Sequence, residues 1–440
     1  MRSPSPSLPS RRDAIAGAAG GAVLLANWPA SAAEPAALDV PPELQRRMYA
    51  AALDSAKRHV RGGEPGSAYR RRFVDAAFSS HIFLWDTCFI AAYAKYHPEE
   101  LPIRPALDNF YERQEADGFI CREYDAQGRP FWPKDHPVSI NPPLLAFAEL
   151  ELFTRTRDVD RLAGVYPKLA RFYDFIAARY RCDDGLFFSD ALGSGMDNIP
   201  RYPDGWRDDG RGLPLHNLYP QVFNYDLLSS KWNRQGRSVD FSAQMALFAD
   251  QLAQIAHIVG RKRDIARWRA GHADIARAIN AHCWSEADGF YYDLGYGEPI
   301  RRKHIGMFWT LLAGVAPPAR TRRMIAHLMD PAEFWRRIPA PAWPADQVGF
   351  SPGGDYWMGG VWAPTNYMLL RGLRRCGAEA TARGLARAYY WAVAQVFEAT
   401  GTFWENYSPD SLAPGRIARP DFCGWTALAP IAVLREFIAD

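Results

Sequence analysis

A chain of 440 residues with 48% hydrophobic and 13% aromatic content can bury a large core, and its 15 Trp exceed what packing alone demands. The formal net charge is +3, of which Arg2, Arg11 and Arg12 against Asp13 supply +2, leaving about +1 on the rest. So near-neutral a chain has no electrostatic footprint for nucleic acid or another polyanion.

The first segment reads as an address. Ser10-Arg-Arg-Asp-Ala14 supplies a twin arginine, Ala14 to Ala26 a short apolar run and Ala30-Ser-Ala32 a small-residue cleavage site. This pattern predicts a twin-arginine export signal over residues 1–33, against the plain alternative of an Ala-rich leader. The run is too short to span a bilayer, and nothing later is apolar enough to anchor the chain. The mature protein is therefore expected in the periplasm or outside the cell, with residues 34–440 as one catalytic domain.

Helical periodicity then appears at 42–60, 81–97, 103–114, 139–155, 166–181, 239–261, 263–283, 301–315, 318–330, 361–375, 378–397 and 424–438, with almost no alternating strand pattern. Odd-numbered segments are Arg-rich and amphipathic, as in Leu44-Gln-Arg-Arg-Met48 and Ala319-Arg-Thr-Arg-Arg-Met324. Even-numbered ones, such as Ile82 to Tyr93 and Trp425 to Leu434, are apolar nearly all round and belong in an interior. Long connections follow the odd helices and short ones the even. The expectation is an all-α (α/α)₆ barrel, a six-hairpin toroid with every long loop opening at one end.

Two isolated carboxylates fall in those loops. Asp197 lies in Gly193-Ser-Gly-Met-Asp-Asn-Ile-Pro-Arg-Tyr202 and Glu405 in Thr402-Phe-Trp-Glu-Asn-Tyr-Ser-Pro409. Glycoside hydrolysis requires such a pair, one protonated to release the leaving oxygen and one ionised to activate water or attack the sugar carbon. Taken singly, Asp197 reads equally as a turn former and Glu405 as an exposed loop acid. Trp85-Asp86, Asn141-Pro-Pro143, Tyr356-Trp357 and Gly424-Trp425-Thr426 fall at the same rim, which argues for one aromatic-walled cleft.

The remaining candidates carry two readings each. Asp86 is a helix N-cap or a hydrogen-bonding partner of sugar hydroxyls. Trp357, Trp362, Trp404 and Trp425 are core or stacking platforms for pyranose rings, with two of the four expected on the substrate. Asn366 is an amide on an inner helix whose partner is backbone before ligand, and Asp240 is a helix cap before a site residue. Arg201 stands beside Asp197 as a candidate for sugar binding. His81, His216 and His304 can line the rim, but no HExxH or comparable spacing occurs, so neither metal nor cofactor is expected. Cys88, Cys121, Cys182, Cys283, Cys376 and Cys423 are scattered without a CxxC pair, and no essential disulfide is expected.

Gly195-Met-Asp-Asn-Ile-Pro-Arg201, Trp284-Ser-Glu-Ala-Asp-Gly-Phe-Tyr-Tyr-Asp293, Asp355-Tyr-Trp-Met-Gly-Gly-Val-Trp362, Glu405-Asn-Tyr407 and Gly424-Trp-Thr426 together resemble the successive signatures of the trehalase-like glycosidases. The resemblance is strongest to family 63 α-glucosidases and their mannosylglycerate hydrolase-like branch, over about residues 40–438. It implies an (α/α)₆ barrel that inverts anomeric configuration without a metal, with Asp197 as general acid and Glu405 as general base. The family usually has Arg and Pro where this chain has Met358 and Gly360, and Gln where it has Asn141. The expected substrate is a short α-linked glucoside or mannoside, trehalose included. A lyase or epimerase would want a catalytic His or Tyr, and a degenerate sugar-binding protein would not need both acids.

Overall fold

The computed structural model describes residues 38–76, 79–134, 139–140, 142–189, 191–201, 236–422 and 424–439. The export signal read over 1–33, Asn141, His216 and Cys423 lie outside the described residues. Each of the twelve periodic segments is occupied by a helix. These are α1 (Pro42–Arg58), α2 (Leu84–Ala94), α3 (Ile103–Glu112), α4 (Leu145–Thr156), α5 (Val159–Tyr180), α6 (Val239–Ile258), α7 (Lys262–His282), α8 (Trp309–Ala313), α9 (Pro318–Leu328), α10 (Ala363–Arg375), α11 (Glu379–Thr400) and α12 (Ala429–Ile438).

Local chemistry moves some boundaries. The fifth helix starts at Val159 rather than 166, because Asp158 caps it by accepting from the Arg161 N–H at 2.8 Å, and it continues through Pro167. The second starts later than expected because Ile82–Phe83 pairs antiparallel with Glu123–Tyr124. The eighth is entered through a 3₁₀ turn, Ile305–Phe308. The twelfth follows a 3₁₀ turn, Thr426–Leu428, and is wound as a π-helix, a rare form that recurs near functional sites. Among the described residues the strands are two-residue pairings, which serve as loop fasteners rather than as a sheet.

Burial separates two classes of helix. Every residue of α2 and α8 is buried, whereas α7 buries only Trp268, Ile275, Ala278 and Ile279 along its 21 residues. A helix apolar on all faces gains by surrounding itself with others, and an amphipathic one gains by facing inward on one side only. Accordingly α2 packs on α4, α4 on α6, α6 on α8, α8 on α10, α10 on α12, and α12 returns to α2. Outside this closed circuit α3 lies on α2, α5 on α4 and α6, α7 on α6, α11 on α10 and α12, and α1 on α12. Residues 34–440 form one compact unit. No helix among the described residues is long and apolar enough to cross a membrane, and Cys88, Cys121, Cys182, Cys283 and Cys376 are free thiols.

Candidate active site

The amino-terminal ends of three inner helices, α2, α10 and α12, meet in one aromatic cluster. Trp85 and Asp86 sit in the first turn of α2, Trp362 is the residue before α10, and Trp425 precedes the turn into α12. Side chains join them: Trp425 meets Trp85 edge-on at 6.4 Å and Trp362 at 5.7 Å between ring centroids. The Trp425 indole N–H donates to the Glu405 carbonyl at 3.0 Å, tying that loop to the aromatic cluster.

Asp197 and Glu405 come from loops far apart in sequence, yet they lie close enough for the charge of Glu405 to act on Asp197. Burial pushes the Asp197 carboxyl up to about 7; Arg122 opposes this, the charge of Glu405 adds to it, a Tyr356 hydrogen bond opposes it and Glu123 adds to it. Asp197 is half-buried, and the protein packed around it is what desolvates its carboxyl. Glu405 is also pushed up to about 7 by burial, against the opposing charge of Arg419 and a bond from the Arg419 backbone N–H at 3.3 Å. The third carboxyl, Asp86, is raised well above its usual range by burial, its own backbone N–H opposing and Glu405 adding. Three acids sharing one desolvated space cannot all ionise near neutrality, which suits a site that must hold one proton ready.

Several candidates take a different place from the one expected. Asp86 is not the N-cap: that position is Phe83, and Asp86 lies inside the first turn beside Glu405. Arg201 does not face the cleft. It is 2% exposed and bonds Asp240 and Asp293 with Nε, Nη1 and Nη2 at 2.7–3.2 Å. Asp240 likewise belongs to this ion cluster rather than capping α6, whose N-cap is Ser238. Trp357 and Trp362 stack on each other at 3.9 Å and 3° and are at most 1% exposed, so their flat faces are spent on packing. Asn366 donates to the Trp362 and Ala340 carbonyls, the backbone role expected first. The indole of Trp404 donates to Thr400 at the end of α11.

Arg122 and Glu123, which no sequence motif marks, also act on Asp197 and Asp86. Both are buried, Glu123 accepting from the Trp132 indole at 2.8 Å and bonding His81 at 2.7 Å. The available signal is an adjacent pair of opposite charges between Phe119-Ile-Cys121 and Tyr124. Gly360 also acquires a reason. A Cβ there would lie 2.1 Å from the Tyr356 carbonyl, and the Gly360 N–H donates to that same oxygen at 3.0 Å, so the proline usual in the family would fit neither the space nor the bond.

Residues 79–423 match the mannosylglycerate hydrolase MGH1-like glycoside hydrolase domain. A mannosylglycerate hydrolase of Thermus thermophilus is 36% identical over 357 residues, covering 69% of this chain and 84% of its own. An uncharacterized protein of Borreliella burgdorferi is 26% identical over 339 residues, covering 76% of this chain; the chain spans 65% of that relative's length, just under two thirds. Among solved structures, the family 63 mannosylglycerate hydrolase of a second Thermus thermophilus strain, with glucose bound, superposes with a TM-score of 0.68 at 24% identity, over 87% of this chain and 99% of that one.

Proposed function

The chain belongs to the mannosylglycerate hydrolase MGH1-like glycoside hydrolases, and from that premise we propose that it is an inverting hydrolase of a short α-linked mannoside or glucoside, built as an (α/α)₆ toroid. The observation that carries the reading is the acid pair. Asp197 and Glu405, each raised to about 7 by burial, are poised for proton transfer at neutral pH. Asp197 protonates the leaving oxygen, Glu405 removes a proton from the attacking water, and Asp86, held neutral by burial, donates to a sugar hydroxyl. The names of the relatives put mannosylglycerate first among substrates to assay, with trehalose and aryl α-glycosides beside it. Export by the twin-arginine leader would deliver the enzyme already folded.

The stereochemistry of the product tests this reading. Proton NMR of an α-glycoside reaction should show the β-anomer first, with the α-anomer growing in only by mutarotation. Initial release of the α-anomer would remove Glu405 as base, and binding without turnover across the panel would leave a sugar-binding protein.

The pH profile is a second test. Only the singly protonated pair is active, and both carboxyls titrate near the same pH, so kcat/KM should describe a narrow bell centred near pH 7. Activity falls on the acid side as Glu405 gains a proton and on the alkaline side as Asp197 loses one. A flat profile from about pH 4 to 8 would contradict the assignment.

A further inference from the structure

Asn198 follows Asp197 and is 3% exposed. Its Oδ1 accepts the Trp357 N–H at 2.9 Å, and its Nδ2 donates to the Asp355 carbonyl at 3.2 Å. One side-chain amide thus grips the backbone on both sides of Tyr356. That residue sits at φ 57°, in the left-handed region that a bulky aromatic avoids. The turn around it is closed by the Met358 N–H on the Asp355 carbonyl and the Gly360 N–H on the Tyr356 carbonyl, both at 3.0 Å. In this conformation the Tyr356 ring meets Trp362 edge-on at 5.0 Å and its hydroxyl points at Asp197 Oδ2 from 3.5 Å.

We propose that Asn198 is a positioning residue: by bridging the backbone across Tyr356 it holds that residue in its strained conformation and keeps the tyrosine hydroxyl aimed at the Asp197 carboxyl. The inference rests on the general-acid reading of Asp197. The loop carrying the acid therefore also builds the acid's environment, since Asn198 and Asp197 are neighbours in the chain and the hydroxyl returns from a segment 159 residues away.

The charged and titratable groups around Asp197 are Arg122, Glu405, Tyr356 and Glu123, and those around Tyr356 are Asp197, Glu405, Arg419 and Asp86. Burial raises the Tyr356 hydroxyl well above its usual range, so it stays protonated and donates. A hydrogen bond to the carboxylate favours the ionised form, and its loss raises the acid's pKa. Asp197 works protonated, so the alkaline limb of the kcat/KM profile should then move to higher pH. Simple loosening of the loop would lower kcat without moving that limb.

The test is the pH dependence of kcat/KM on an aryl α-glycoside for Tyr356→Phe, Asn198→Leu, Asn198→Ala and the double variant Tyr356→Phe/Asn198→Leu. Leu fills the volume of Asn without making either bond, which favours a folded variant. Tyr356→Phe and the Asn198 variants should each move the alkaline limb upward by about half a pH unit or more, and the double variant should move it no further than Tyr356→Phe alone. An unmoved limb in Tyr356→Phe overturns the inference whether or not the Asn198 variants fold. So does a folded Asn198 variant that loses rate at an unmoved limb, and so do shifts that add in the double variant. If Asp197→Asn is inactive while these limbs stay in place, the inference alone falls; an active Asp197→Asn overturns the general-acid reading itself.

Discussion

Asp197→Asn and Glu405→Gln are each expected to lower turnover of an α-glycoside by about 10²–10⁴-fold, the range that one positioned acid or base contributes. Each change keeps the shape of the side chain and removes its proton chemistry, so KM should move far less than kcat. Steady-state kinetics on purified, folded variants decide it: more than about a tenth of the wild-type rate retained by either takes that residue out of the mechanism. The fold should gain. A carboxyl whose pKa rises on folding contributes stability below its unfolded pKa and loses it as pH climbs through the folded value, here about 7 for both groups. An amide carries no such loss. Both variants should therefore unfold no earlier than wild type at acid pH and later above pH 7. A lower melting temperature at pH 8 would mean that the carboxylates are held by contacts stronger than their desolvation.

Arg201→Met should have the largest effect on stability, about 3–5 kcal/mol by chemical denaturation at neutral pH. Arg201 is the cation shared by Asp240 and Asp293, in a cluster 1–5% exposed by side chain. Burial alone would raise Asp293; Arg201 and His304 instead hold it well below the usual carboxylate range. His304 accepts the Gly306 N–H on Nδ1, which leaves its ring proton on Nε2 to donate to Asp293 at 3.2 Å. Asp293 also accepts the Val239 N–H at 2.8 Å, fixing the start of α6. Because the folded pKa of Asp293 is depressed, its contribution is present above the unfolded pKa of about 3.9 and is lost as pH falls through the folded value. Without the arginine the two carboxylates lose the cation they share, and protonation of Asp293 relieves the loss. The deficit of Arg201→Met should thus be greatest at neutral pH and shrink toward pH 4. Arg201→Lys should recover only part of it, since one ammonium cannot present the fork that spans two carboxylates. A deficit under about 1 kcal/mol, or one that grows with acid, would show that the cluster is not the anchor of this loop.

Met196 adds a second fastening on the other side of the acid. Its terminal methyl lies 2.8 Å from where a Gly306 side chain would begin, so the loop rests against bare backbone there. With Arg201 after Asp197 and Met196 before it, the acid is placed from both directions by residues that are themselves buried.

The amino-acid sequence alone was enough to find the helices and to divide them into two classes, because periodicity and all-round apolarity are local properties of 10 to 20 residues. It also singled out Asp197 and Glu405, since an acid amid glycine, proline and aromatic residues has no folding reason that a short window can supply. Arg201 shows where that logic ends. In sequence it is an arginine four residues from Asp197, which reads as a ligand for sugar; in the fold its partners lie 39 and 92 residues onward, at the start of α6 and at the end of the Trp284 to Asp293 motif. Arg122 and Glu123 carry no motif for the same reason, and the stack of Trp357 on Trp362 likewise separates packing from exposure only when both rings are in place. Burial decided the rest. A carboxyl near pKa 4 in the unfolded chain becomes one near 7 only when a closed circuit of helices removes water from around it, and desolvation by elements far apart along the chain leaves no mark on the residues beside it.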